Sequence, residues 1–190
     1  MKNIKSILQE SISVKNKILS DDILIERINS VVDIITNALS NGNKLILAGN
    51  GGSAADAQHI TAEFIGKFLK SRKALPAICL NTNVSALTAI SNDLGYENVF
   101  LRQTQALAQC GDVFLGFTTS GNSKNLVEAF NYASAVDVTC VAFTGENGGE
   151  IAEYSNLVLN VPASSTPRIQ EAHITIGHII CELVEKNLFE

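Results

Sequence analysis

The 190-residue sequence predicts an α/β fold, a parallel sheet with helices on both faces. Short apolar runs, each closed by small residues, begin at Lys44. They alternate with stretches of helical spacing, and they are apolar throughout, as strands buried on both faces are. Before them, residues 1–40 are helical in pattern: Ile4, Ile7, Leu8 and Ile12 recur at helical spacing, and Ile28, Val31, Val32, Ile35 and Leu39 do so again. Asp21 or Asp22 can cap the second of these helices, and Asn41-Gly42 ends it.

The remaining elements follow in order. Lys44–Ala48 reads as the first strand, followed by Gly49–Ser53 and a helix through about Phe68. Ala77–Leu80 reads as the second strand, with helical stretches near Val84–Ser91 and Tyr96–Gln109. Asp112–Phe117 is the third strand and Ser123–Ala135 its helix. Val138–Phe143 is the fourth, followed by a glycine-rich turn, and Leu157–Val161 is the fifth. A long helix runs from about Arg168 to Leu188. No repeat, low-complexity tract or linker interrupts the chain. Residues 1–190 are therefore expected to form one domain, with a helical segment over 1–40 and an α/β core over 44–188.

Composition narrows the function. Lys and Arg number 14 against 19 Asp and Glu, a net charge of −5, which offers no positive field for nucleic acid. With 46% hydrophobic and 17% charged residues the chain is globular. No run approaches the ~18 apolar residues of a membrane span. Met1 to Glu10 alternates charge and apolarity without a signal-peptide core, so a cytoplasmic location is expected. Cys79, Cys110, Cys140 and Cys181 lack CxxC or zinc-knuckle spacing and read as reduced, mostly buried thiols.

In open α/β folds ligands bind beyond the carboxyl ends of the strands. Three segments qualify. Gly49-Asn50-Gly51-Gly52-Ser53-Ala54 satisfies G-x-G-x-x-A, the dinucleotide fingerprint of a nicotinamide oxidoreductase. Its usual companion is missing, because the second strand ends in Asn81, Thr82 and Asn83 with no carboxylate for a ribose hydroxyl. An anion or sugar site at a helix start explains the glycines equally well, and so does a tight turn. Thr118-Thr119-Ser120-Gly121-Asn122-Ser123 places four hydroxyls in six residues ahead of a helix, a set suited to a phosphate monoester, although a capped serine turn has the same composition. His59 and Glu63, spaced i, i+4, share one helix face and can hold a metal or supply an acid and a base; a surface ion pair has the same spacing. On the last helix, His173 and His178 differ by five positions, so at most one of them points into a given site.

Together these segments resemble the sugar isomerase (SIS) family and, within it, the phosphoheptose isomerases. The stretches that carry the likeness are Gly49–His59, Glu63 with Gly66, Asn92-Asp93, Ser120–Ser123, and Arg168-Ile169-Gln170-Glu171 followed by His173 and His178. The likeness spans nearly the whole chain. It implies a flavodoxin-like five-stranded sheet and a homotetramer with sites at subunit interfaces, in which the N-terminal helices pack. It places one Zn2+ per subunit on His59, Glu63, Gln170 and His178. Substrate would be held by Asn50, Gly51, Gly52, Ser53, Glu63, Asn92, Asp93, Thr118, Thr119, Ser120, Ser123 and Gln170. The implied reaction converts sedoheptulose 7-phosphate to an aldoheptose 7-phosphate for a bacterial surface glycan such as lipopolysaccharide, with Glu63 as base and His178 as acid.

Gln170 and His178 are eight residues apart, ~12 Å of rise on a continuous helix, so both reach one ion only if Gln170 lies at the helix start and turns inward. Lys67 and Pro167 stand where relatives carry other residues, and a proline is readily accepted at a helix start. The competing reading is a non-catalytic SIS protein that binds a phosphosugar or a partner. It resembles the replication-initiator-associating protein through Leu75–Thr82, but that group lacks the carboxylate and imidazole that Glu63 and His178 supply.

Overall fold

The computed structural model describes residues 3–190. Met1 and Lys2, part of the expected N-terminal helical segment, lie outside the described residues. Two helices open the chain, α1 (Ile4–Leu19) and α2 (Asp22–Ser40). Of the two candidate caps for α2, Asp21 serves, its Oδ1 accepting the Leu24 N–H at 3.0 Å. The core follows as β1 (Leu45–Gly49), α3 (Gly52–Ile65), β2 (Ala77–Cys79), α4 (Val84–Leu94), α5 (Val99–Leu107), β3 (Val113–Phe117), α6 (Lys124–Ala135), β4 (Thr139–Thr144), β5 (Leu157–Asn160) and α7 (Thr166–Phe189). Pro167 sits in the first turn of α7, where its missing N–H costs nothing.

All strand pairs are parallel, in the order β2-β1-β3-β4-β5. The strands β1 and β3 are buried at every position, which is why they read as unbroken apolar runs. Two apolar clusters flank the sheet. One joins α2, α3 and α7 through residues such as Ile35, Phe64 and Ile176; the other joins α5 and α6 through Phe100, Leu126 and Phe130. The order reverses at β1, which has β2 on one side and β3 on the other. The loops after β1 and β3 therefore face each other across a topological switch point.

Several expected boundaries shift, α4 running to Leu94 rather than ending near Ser91. The helix after β1 ends at Ile65 rather than near Phe68, because the chain turns at Gly66 and Arg72 donates hydrogen bonds to the last carbonyls of α3. Tyr96–Gln109 divides into a 3-10 turn (Tyr96–Asn98) and α5, with Gly95 at φ +91 ending α4. No residue of α4 is buried, and Val84 is 67% exposed. Among the described residues no helix is long and apolar enough to cross a membrane.

Candidate active site

A cavity of about 280 Å3 opens at the switch point, lined by Asn50–Ser53, Phe117, Thr118, Thr119, Ser123, Thr166 and Gln170. Three helices begin there: α3 after Gly51, α6 after Ser123 and α7 after Ser165. In none of the three does the N-cap side chain satisfy a backbone N–H. Their unsatisfied donors and positive dipole ends converge on one space, which favours an anion. The Ser123 hydroxyl lies 3.3 Å from the Thr118 hydroxyl instead of capping α6. Close packing fixes the loops around this space. A side chain at Gly49 would meet the Ser53 carbonyl at 2.4 Å, and one at Gly121 would meet the Gly148 carbonyl at 1.8 Å. Asn81, at the end of β2, is spent on Gly49: its amide donates to the Gly49 carbonyl at 2.9 Å and accepts from the Gly49 N–H at 3.1 Å.

From this cavity α3 and α7 run side by side in the same direction. The Gln170 carboxamide packs on Gly52 at their heads, and His59 meets His178 further along. The two histidine Nε2 atoms are 2.9 Å apart, and His59 Nε2 is 3.3 Å from Glu63 Oε1. One ligand atom from each of His59, Glu63 and His178 lies within 4.8 Å of the others. Two ring nitrogens facing each other with a carboxylate alongside is a donor set that suits a divalent ion such as zinc, which takes imidazole and carboxylate ligands at about 2.0–2.2 Å. The residues fit the ion. Cys181, one turn past His178, stays a neutral thiol: burial, then the nearby Glu63 carboxylate, push it up to about 12. Asp56, one turn before His59, is raised to about 6 by burial, with His59 pulling the other way.

The structure therefore brings Asn50, Gly51, Gly52, Ser53, Thr118, Thr119, Ser123 and Gln170 into one cavity. His59, Glu63 and His178 form one cluster, and Gln170 stands with the cavity group. Ser120 lines an adjoining cavity of about 280 Å3. Asn92 and Asp93, hydrogen-bonded to each other at 2.7 Å, are exposed and line neither space. The buried histidine of α7 is His173; His178 is half-buried, beside the more open His59.

Sequence reasoning missed Asn125, Tyr96 and Phe68. Asn125 exchanges two amide hydrogen bonds of 2.9 Å with Asn50, and the Tyr96 hydroxyl donates to Asn50 Oδ1 at 3.0 Å, so the Asn50 side chain is fully held. Phe68 packs 5.6 Å from the His178 ring. Asn125 follows Ser123 by two residues and could have been flagged with that loop; no spacing could have found Tyr96.

Known proteins similar to this chain share its fold. A family model described as the SIS domain matches residues 9–145, which gives the class of protein. A phosphoheptose isomerase from Clostridium acetobutylicum is 52% identical over 190 residues, covering 100% of this chain and 97% of the relative. Another from Aneurinibacillus thermoaerophilus is 50% identical over 186 residues, covering 98% and 94%. The solved phosphoheptose isomerase from Neisseria gonorrhoeae superposes with a TM-score of 0.90 at 41% identity, covering 96% of this chain and 97% of that one. The chain belongs to the phosphoheptose isomerase family of SIS-domain enzymes.

Proposed function

We propose that the chain interconverts D-sedoheptulose 7-phosphate and D-glycero-D-manno-heptose 7-phosphate by proton transfer through an enediol(ate). One observation carries this reading: a carboxylate and an imidazole meet on the two helices whose heads form the anion cavity. The phosphate occupies the three helix N-termini with the hydroxyls of Thr118, Thr119, Ser120 and Ser123. Its carbon chain then extends along α3 and α7. Eight residues of helix, ~12 Å of rise, separate Gln170 from His178, a span suited to a seven-carbon chain anchored at one end.

Glu63 takes the proton from C1 and returns it to C2, while His178 gives a proton to the C2 oxygen and takes one from the C1 oxygen as the double bond shifts. Gln170 orients the sugar hydroxyls from its place against Gly52. With His59, Glu63 and His178 it would complete the set of residues that holds the ion. Zn2+ held by His59, Glu63 and His178 would draw off negative charge developing on the C1 and C2 oxygens. Asn92 and Asp93, exposed on a helix without buried residues, serve a neighbouring subunit's site in a homotetramer, and the N-terminal helices pack in the same assembly. A cytoplasmic location and supply of a heptose precursor to a surface glycan belong to the same reading.

The test is incubation of the zinc-loaded protein with sedoheptulose 7-phosphate, followed by NMR. An aldoheptose phosphate is expected. Binding without a new aldose would instead favour the non-catalytic receptor, which lacks the roles given to Glu63 and His178.

A further inference from the structure

Beyond the reacting groups, one buried ion pair touches every element that carries them. Arg72 and Glu185 side chains are each 2% exposed, and Arg72 Nε donates to Glu185 Oε1 at 2.8 Å. The guanidinium reaches the last turn of α3: Nη2 donates to the carbonyl of Glu63 at 2.8 Å and Nη1 to that of Phe64 at 2.9 Å. Glu185 lies on α7, two turns beyond His178. Its carboxylate also accepts the N–H groups of Leu69 and Lys70, each at 2.8 Å, and of Phe68 at 3.2 Å. One junction thus holds the backbone of Glu63, the helix of His178, and Phe68, whose ring packs on His178. Although burial opposes ionisation of Glu185, the N–H groups of Leu69 and Lys70 and the Arg72 guanidinium outweigh it and hold the carboxyl low. Both members of the pair are hydrogen-bonded on several sides, the condition under which a buried pair fixes geometry.

We propose that Arg72 and Glu185 are positioning residues for the reaction, locking α3 against α7 so that His59 and Glu63 on one helix stay in register with His178 on the other. The inference rests on the reading of the site given above. A purely structural pair would stabilise the fold and leave the site alone. A positioning pair must also move metal affinity and turnover.

A less buried pair at the opposite end of the sheet supplies the control. Lys44 Nζ meets the buried Asp112 carboxylate at 2.5 Å just before β1, away from the site.

Arg72→Lys keeps the charge but loses the fork that spans Glu185 and the α3 carbonyls. Glu185→Gln keeps the shape and loses the charge, and serves where the arginine variant fails to fold. Co2+ is titrated into metal-free protein and read by its absorption spectrum, and kcat and KM are measured well below the unfolding temperature. The folded variant is expected to bind Co2+ and to turn over ~10–100-fold less well, the scale for residues that orient metal ligands, with KM within about threefold of wild type. Lys44→Met is expected to lower the unfolding temperature while leaving Co2+ affinity and kcat within about twofold. Unchanged Co2+ binding and kcat in both clamp variants overturns the proposal, and so does a Lys44→Met loss as large as theirs. An active Glu63→Gln would instead overturn the reading of the site, whatever the clamp does.

Discussion

The two faces of α7 carry two histidines five residues apart, and they meet opposite fates. His173 faces the sheet, fully buried between the rings of Phe117 and Phe143, with Nε2 3.1 Å from the Thr144 carbonyl. Its Nδ1 has no partner, and burial lowers its pKa to about 4, the Thr144 carbonyl opposing this in part. A neutral ring donating from Nε2 is the state this surrounding accepts. His178 faces α3, half-buried, with its Nε2 against a second histidine and near a carboxylate. Five residues turn the helix by ~140°, enough to separate a core residue from one in the candidate site. The lesson is that the facing partner, not residue type or neighbouring sequence, assigns a histidine its work.

Predictions that break or sharpen this contrast begin with turnover. His178→Asn should lower kcat by ~10²–10⁴-fold, the scale of general acid–base catalysis, with little change in thermal stability. His173→Gln should leave kcat per folded molecule within about threefold. Equal losses of turnover in steady-state assays of the two would erase the distinction.

Stability should show the reverse ranking. Removing the buried ring in His173→Ala leaves a cavity and an unpartnered Thr144 carbonyl acceptor, an expected cost of about 2–4 kcal/mol in urea unfolding. His178→Ala should cost under about 1 kcal/mol. Metal uptake divides the faces again: zinc bound after dialysis should fall sharply in His178→Asn and remain near wild type in His173→Gln.

The last contrast is in pH. Because the folded pKa of His173 lies near 4, below its ordinary 6.5, the unfolded chain binds more protons in between; the stability it contributes is present above 6.5 and is lost as pH falls toward 4. Asp56, raised from 3.8 to about 6, has the opposite sign, its contribution being lost as pH rises through that window. Denaturant unfolding between pH 4 and 6.5 should therefore give a steeper rise of stability with pH in Asp56→Asn and a flatter one in His173→Gln.

The fold was legible because its central strands are buried on both faces and its second helix is capped by Asp21 and ended at Asn41. Both polar loops were legible for the same reason, since each follows a strand and opens a helix. What remained hidden depends on contacts between distant segments. Asn50 to Tyr96, Arg72 to Glu185 and His173 to Thr144 are pairs that no local spacing encodes. The family likeness, not periodicity, joined Glu63 to His178, and the packing of α3 on α7 now supplies the physical reason.

The most direct test of that joining is turnover of sedoheptulose 7-phosphate by Glu63→Gln, loaded with zinc and followed by NMR beside the wild type. The account predicts an intact fold and an aldoheptose signal at least ~10²-fold slower to appear, because the proton acceptor at C1 is gone. A rate near that of the wild type would contradict it.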